Sequence, residues 1–259
     1  SSHRQILGVF PAPRLKPEQF SALVQGGLTT PVLESEGLYR FSFSLSGRPD
    51  ATHAREILVS DTRLAPVAGR TLKLALAGVA PNVRKGLERL NGVALGDFAP
   101  GGGSAAIVAS VIDAAIIAAV RAGMPLLVMA QDDDLADAAA RALAAEGAFT
   151  YAGQVGKTRA PWMGNWYFLR DHPAYAGLPV DQAMGVHYQV PGKPSNGLIV
   201  DGPDVDVFVG YSRDHDRQVG AGSFTTKLGA GKILFQRVPD LNGPMQQRFL
   251  HNALAWLCS

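Results

Sequence analysis

The sequence predicts an α/β fold, in which a mostly parallel sheet is flanked by helices and preceded by a small antiparallel β segment. Between residues 71 and 145, short apolar runs alternate with helical stretches, as they do in chains of βαβ units. The clearest run, residues 125–130, is apolar throughout, which is typical of a strand buried on both faces. Residues 39–46 instead alternate apolar and polar side chains, the period of an antiparallel strand with one wet face.

The alternating segment determines the predicted domain boundary. Residues 47–50 have the composition of a turn, and residues 55–60 are the expected partner strand. We therefore predict a β-rich segment at residues 1–67, which fits the end of a sandwich domain. Residues 68–259 are predicted to form the α/β domain.

Each element of the α/β domain follows from a local pattern. Apolar runs predict strands at residues 72–79, 93–97, 105–109, 125–130, 205–211, 220–228 and 232–238. Helices are predicted at residues 83–90, 114–122 and 132–145, and after residues 242–244. Asp113 lies near the start of the second of these helices, and residues 132–134 are predicted to cap the third, where carboxylates are favoured by the positive end of the helix dipole. The last helix has an apolar face formed by Phe249, Ala253, Trp256 and Leu257.

The composition excludes several classes of protein. A chain of 259 residues that is 47% hydrophobic can bury a core without help from a metal or a disulfide. Cys258 is the only cysteine, so no intrachain disulfide can form. A net charge of +2 without a Lys/Arg cluster argues against nucleic acid as a partner. The longest apolar run, residues 105–120, is too short to span a membrane.

Two features resemble catalytic loops without having their residues. Gly101–Ser104 follows a predicted strand, but no Lys follows it and neither phosphate-loop spacing is present, so we interpret it as a loop. The alternation of predicted strands and helices is also typical of flavodoxin-like and class I glutamine amidotransferase-like domains. An amidotransferase needs a Cys on a tight strand-to-helix turn beside a His. The turn after residue 130 has none, and Cys258 lies at the end of the last helix. We therefore expect the fold without the activity.

Asp214, His215 and Asp216 form the one compact cluster of residue types that bind metals. Alternate residues of a strand point the same way, so the two carboxylates would face one site. Arg213 and Arg217 flank the cluster, and we favour a solvated ion network. A metal or sugar site is the alternative, and we predict neither a metal ion nor a cofactor for the chain.

An aromatic-rich stretch in the middle of the chain offers two interpretations. Exposed aromatic rings would stack on the C–H faces of sugars, whereas buried rings would form core or interface. The candidate sugar contacts are Trp162, Trp166, His187 and Tyr188, together with Asp214, His215 and Asp216. Glycoside hydrolysis itself needs two carboxylates across the bond. No Glu occurs after Glu146 and we find no credible pair, so no catalytic residue is predicted.

Two segments carry a family resemblance. The first is Gly164–Pro173, with its continuation through residues 176–179 and 187–190, and the second comprises residues 228–235 and 248–257. Both resemble the C-terminal region of bacterial glycoside hydrolase family 2 proteins, which are β-galactosidase-like enzymes. The resemblance covers about residues 70–259. It implies a parent enzyme with sandwich domains and a TIM barrel that carries two catalytic Glu, and none of the barrel motifs can be placed here.

The resemblance therefore suggests an accessory, non-catalytic C-terminal domain of a family 2 glycosidase. Its partners would be the sandwich domains and barrel of the parent, another copy of itself, or carbohydrate, with no nucleic acid and no membrane. The family implies a periplasmic or secreted location, although no signal peptide is visible. The first residue is Ser1 rather than Met, as in a processed chain or a fragment. Two alternatives stay open: a free-standing carbohydrate-binding module, and a small hydrolase that uses His187 or His215.

Overall fold

A computed structural model describes residues 8–9, 33, 35–60, 64–130, 132–155, 165–184, 188, 196–213, 217–238 and 243–259. The chain divides into two compact units, Ser1–Val59 and Ser60–Ser259. The predicted boundary between residues 67 and 68, and the origin of the first segment in a sandwich domain, stay predictions.

The described part of the first unit is an antiparallel hairpin. Strand β1 (Gly37–Leu45) pairs with β2 (Arg48–Val59), with Tyr39 opposite Ile57 and Phe43 opposite His53. This hairpin is the one that the alternating pattern predicts.

The described part of the second unit contains eleven strands and four α-helices. Its strands are β3 (Leu72–Ala77), β4 (Val93–Asp97), β5 (Ala106–Ala109), β6 (Leu126–Met129), β7 (Thr150–Val155), β8 (Asn165–Leu169), β9 (Gln182–Ala183), β10 (Gly197–Asp201), β11 (Asp206–Arg213), β12 (Gly220–Leu228) and β13 (Gly231–Gln236). Its helices are α1 (Pro81–Glu88), α2 (Ala114–Arg121), α3 (Asp133–Ala145) and α4 (Gly243–Leu257). Short 3₁₀ turns occur at Val67–Gly69 and Pro173–Tyr175. No helix in the described ranges is long and apolar enough to cross a membrane.

All eleven strands belong to one mixed sheet. Its main path runs β4-β3-β5-β6-β13-β12-β11-β8-β9, with β10 paired to β12 and β7 paired to β10. The pairs from β4 to β13 are parallel, and every other pair is antiparallel. The sheet therefore changes character at β13, which is parallel to β6 on one side and antiparallel to β12 on the other.

The prediction of a mostly parallel, amidotransferase-like or flavodoxin-like sheet is wrong. Among the described strands of this sheet, six pairs are antiparallel and four are parallel. Where two strands follow each other closely, as β12 and β13 do, no room is left for the helical crossover that a parallel pair needs. Only Gly229 and Ala230 separate β12 from β13. Gly229 has a φ of +59°, and a Cβ there would lie 2.6 Å from the carbonyl oxygen of Arg121, so this turn requires glycine.

The parallel strands are covered on both faces. Helices α2 and α3 pack with Ile107, Val128 and Phe235 in one core cluster. Alternate residues such as Val108 and Leu127 point to the other face, where α4 contacts β6 and β13. The predicted cap of α3 is confirmed, since the side chain of Asp132 accepts from the N–H groups of Asp134 and Leu135. Asp113 also caps its helix, because its side chain accepts from Ile116 N–H.

Candidate functional site

Strand β8 exposes two aromatic rings on one side of the sheet. Trp166 is 44% exposed and Phe168 is 48% exposed, whereas Tyr167 and Leu169 between and after them are buried. This alternation is the pleat of a strand with one covered and one open face. We call Trp166 and Phe168 the aromatic pair.

Small residues surround the aromatic pair. Phe168 lies opposite Gly210 of β11 and opposite Ala183 of β9, and Trp166 lies opposite Ser212. Directly paired residues share a face of the sheet, so the neighbours of the two rings on this face have short side chains or none. Arg170 follows at the next alternate position and forms an exposed ion pair with Asp206 at 2.6 Å. Flat apolar rings next to a guanidinium and a carboxylate are suited to binding a sugar or a protein surface.

His172, which follows β8 in the chain, is a packing residue. Its ring stacks on Phe208 with centroids 4.1 Å apart, and meets the edge of Trp256 at 5.4 Å. Its Nδ1 accepts a 3.1 Å hydrogen bond from Ala174 N–H, which caps the 3₁₀ turn Pro173–Tyr175. Burial lowers the pKa of His172, against the opposing charges of Asp206 and Asp171. The neutral imidazole is therefore the native form at neutral pH.

Two tyrosines of the same segment, Tyr175 and Tyr188, are also buried. Tyr175 packs against Phe249 of α4 and accepts a 3.4 Å hydrogen bond from Gln236 Nε2, while Gln236 Oε1 accepts from Ser223 Oγ. Tyr188 is 1% exposed and donates its hydroxyl to the carbonyl of Pro179. Burial raises the pKa of both phenols, so they stay protonated. Tyr188, a candidate sugar contact from the sequence, is thus part of the core.

An ion pair with one buried partner, Arg237, occupies the edge of the sheet where the parallel strands end. The guanidinium of Arg237, just after β13, donates to the carboxylate of Asp133 at the start of α3. The same carboxylate accepts from Asn196 N–H at 3.3 Å, and the Asp133 carbonyl accepts from Gln154 Nε2 at 2.8 Å. Ligand sites of open α/β sheets commonly lie at this edge. Here the charges are paired with each other, which fits a structural role.

Five of the candidates from the sequence lie outside the described residues, and their assignments stay predictions. They are Trp162, His187, Asp214, His215 and Asp216. Among the residues that the structure does describe, no group of three or more His, Cys, Asp or Glu side chains could hold a metal ion.

Cys258 and the glycine run also lack the setting of catalytic groups. Burial raises the pKa of the Cys258 thiol, which makes it a weak nucleophile. Gly102 N–H bonds to Ala99 O at 3.1 Å in a turn between β4 and β5, rather than at the start of a helix where a phosphate loop would place it.

Phe168, Arg170 and Asp206 are the site residues that the sequence reasoning missed. Residues 166–169 are all aromatic or apolar, so no period of two distinguishes the exposed face from the buried one. Which face of β8 is exposed depends on its pairing with β11, which the local sequence does not reveal.

No protein-family model matches the chain, and no curated protein matches it. Three solved structures are partly similar to it. Cytoplasmic protein STM1381 from Salmonella typhimurium LT2 is 10% identical, with a TM-score of 0.43 over 86% of this chain and 96% of that chain. Cytoplasmic protein STM3548 from Salmonella typhimurium is 12% identical, with a TM-score of 0.47 over 85% and 96%. A cold-adapted β-galactosidase from Rahnella sp. R3 is 10% identical, with a TM-score of 0.41 over 72% of this chain and 31% of that enzyme. These values describe partial similarity of shape and assign neither a family nor a function.

Proposed function

We propose that this chain is a non-catalytic accessory domain of a larger family 2 glycoside hydrolase of the β-galactosidase-like type. The observation that carries the proposal is where the structure places the side chains of the segment that resembles that family. Its described aromatic rings, including that of His172, are either enclosed in the core or displayed as the aromatic pair. This division is typical of a docking domain rather than of a catalytic site.

The enclosed side chains support the first half of this argument. His172 stacks on Phe208 and caps a turn, and Tyr175 packs on α4. Asn252 of α4 donates its side-chain N–H to Ala176 O at 2.9 Å, which ties the two resembling segments together. Residues that hold two parts of a domain together in this way stabilise the fold, and they do not face a substrate.

The exposed side chains support the second half. Two large rings at alternate positions of one strand form an apolar surface, which is a common mark of an interaction site. In the proposed parent, the aromatic pair would contact the barrel or a sandwich domain, or a second copy of the chain. Its parent would act on β-glycosides in the periplasm or outside the cell, as the family resemblance implies.

Recovery of activity from the native source tests this proposal. An antibody raised against the 259-residue chain is used to precipitate the native protein, and the precipitate and the isolated chain are both assayed with aryl β-galactosides. We expect hydrolysis by the precipitate and none by the isolated chain. Hydrolysis by the isolated chain at enzyme-like rates would contradict the proposal, as would a precipitate that does not hydrolyse aryl β-galactosides.

The aromatic pair also favours a second candidate, a carbohydrate-binding module. The ion pair of Arg170 and Asp206 at the end of the same row could hydrogen-bond sugar hydroxyls while the rings stack on the sugar face. Calorimetry with a panel of mono- and oligosaccharides tests this candidate. We expect millimolar binding that Trp166→Ala abolishes, and an absence of heat with every sugar would rule this candidate out.

A further inference from the structure

A second surface, unrelated to the aromatic pair, opens at the edge of the sheet where the parallel strands begin. It is a pocket of about 560 Å³. Three cationic side chains, three hydroxyls and the single thiol contribute to its lining: Arg70, Lys73, Lys232, Thr71, Ser104, Ser259 and Cys258. We call it the basic pocket, and none of the described residues that line it has an acidic side chain.

The three cations come from three separate places in the chain. Arg70 precedes β3, Lys73 lies within β3, and Lys232 lies within β13. Arg70 bonds to Cys258 O at 3.1 Å, and Lys73 bonds to Gly102 O at 3.0 Å. Lys232 bonds to Ser259 O at 3.1 Å and to Ser259 Oγ at 3.5 Å, and its Nζ lies 5.4 Å from the ring centroid of Trp256. In the 259-residue chain Ser259 O belongs to the terminal carboxylate, so Lys232 is paired with one negative charge. Throughout the described ranges, no acidic side chain forms an ion pair with any of them.

The end of α4 explains only part of this charge. Arg70 and Lys232 bond to oxygens just after α4, where cations are favoured by the helix dipole. The negative end of that dipole amounts to about half an elementary charge and the terminal carboxylate of the 259-residue chain to about one, so three cations leave an excess of about one and a half. Lys73 bonds to a carbonyl of the β4–β5 loop and takes no part in capping the helix. The excess charge therefore needs a different explanation.

We propose that the basic pocket binds a small dianion that carries a phosphoryl group. A phosphoryl monoester carries a charge of about −1.5 to −2 at neutral pH, which matches the excess. Its tetrahedral oxyanion can accept hydrogen bonds from several directions, as the positions of Arg70, Lys73 and Lys232 require. A lysine ammonium has three N–H donors and a guanidinium has five, so each cation retains donors beyond the contacts given above. The hydroxyls of Thr71 and Ser104 add neutral donors.

Two sources of the phosphoryl group are compatible with the pocket. Free inorganic phosphate would occupy a small part of about 560 Å³, whereas a sugar phosphate would also contact apolar lining residues such as Leu72 and Leu257. The size of the pocket favours the organic ester. This inference does not depend on the accessory-domain proposal, since the pocket and the aromatic pair share no residue.

Cys258 provides a direct reporter of occupancy. It is the only cysteine of the chain, and its half-buried thiol lies in the pocket. The charges of Arg70 and Lys232 act on that thiol, which places it within their electrostatic reach. Alkylation by iodoacetamide, a neutral reagent, is followed by mass spectrometry with inorganic phosphate, glucose 6-phosphate or glucose present.

We expect inorganic phosphate and glucose 6-phosphate to slow alkylation, and glucose to have no effect. At ten times the Kd the rate should fall about tenfold, because only about a tenth of the pockets remain free. Stronger protection by glucose 6-phosphate identifies the ester as the ligand, and equal protection identifies the free oxyanion. The protection should weaken at high salt, which screens the charges.

Variants separate a specific site from general charge. Lys73→Ala and Lys232→Ala should each weaken protection by at least about tenfold in Kd, as expected for loss of a charge-assisted contact. Lys85→Ala removes an exposed cation from α1, away from the pocket lining, and should leave protection unchanged. Lys73 is exposed, so its loss should not unfold the chain. An absence of protection by both phosphates at millimolar concentration, equal protection by glucose, or an equal effect of Lys85→Ala would overturn the proposal.

Discussion

The imidazole of His172 lies flat against the ring of Phe208, with the two planes 11° apart and the centroids 4.1 Å apart. Because His172 follows β8 and Phe208 belongs to β11, this stack joins the segment that resembles glycosidases to the antiparallel half of the sheet. The contact assigns His172 to the core rather than to catalysis.

The first prediction concerns this stack. His172→Ala should lower the free energy of unfolding by about 2 kcal/mol, since it leaves a cavity and removes the acceptor for Ala174 N–H. A double-mutant cycle with Phe208→Ala should give a coupling of about 1 kcal/mol, measured by urea unfolding. Asp171→Ala, an exposed neighbour, is the control and should change stability by less than about 0.5 kcal/mol. Independent, additive effects of His172 and Phe208 would refute the stack.

The second prediction concerns pH. Burial lowers the pKa of His172 in the folded state, so the unfolded chain takes up a proton at this residue more readily than the folded chain. The resulting stabilisation is complete above about pH 6.5, the ordinary value for His, and is lost as the pH falls below it. His172→Asn keeps a side-chain acceptor and does not titrate. The stability of the wild type should therefore fall more steeply between pH 7 and pH 5 than that of the variant, and parallel profiles would show that His172 does not contribute.

The third prediction uses the alternation along β8. Tyr167→Ala should destabilise the chain by about 3–5 kcal/mol, because it empties a buried site that contacts Tyr211. Trp166→Ala and Phe168→Ala should each cost about 1 kcal/mol, because about half of each ring is already in water. Three neighbouring substitutions thus compare the two faces of a single strand by thermal or urea unfolding. Equal costs at residues 166 and 167 would mean that β8 is covered on both faces.

The fourth prediction compares an ion pair that has one buried partner with an exposed ion pair. Asp133→Asn should cost about 2 kcal/mol, since it removes the carboxylate that the buried guanidinium of Arg237 contacts, while the charge of Asp132 still acts on Arg237. In an Arg237→Met background the same change should cost much less. The matched control is the exposed pair of Arg170 and Asp206, whose double-mutant coupling should be below about 1 kcal/mol. Equal coupling free energies in the two cycles would contradict the larger contribution to stability that we predict for the pair of Arg237 and Asp133.

The local patterns of the sequence predict much of the parallel half of the fold. The strand at residues 125–130 and the helices capped by Asp113 and Asp132 all occur, because apolar periodicity and capping depend on residues close in the chain. The antiparallel half is different. Strands β11, β12 and β13 were predicted as strands, but their direction depends on short connections and on partners elsewhere in the chain.

The candidate site is predicted less well for the same reason. Nothing in the sequence between residues 165 and 169 distinguishes Trp166 from Tyr167, and only the pairing with β11 determines which ring is exposed. The basic pocket gathers Arg70, Lys73 and Lys232 from positions up to about 160 residues apart, and no local motif indicates that they meet.

The intact mass of the native polypeptide tests the central claim most directly. It is measured on protein precipitated from the source organism with an antibody against the 259-residue chain. Our account predicts a mass far above 27.3 kDa, in a polypeptide whose other peptides belong to a glycosidase barrel. A native polypeptide of about 27.3 kDa would contradict it, and the chain would then act on its own.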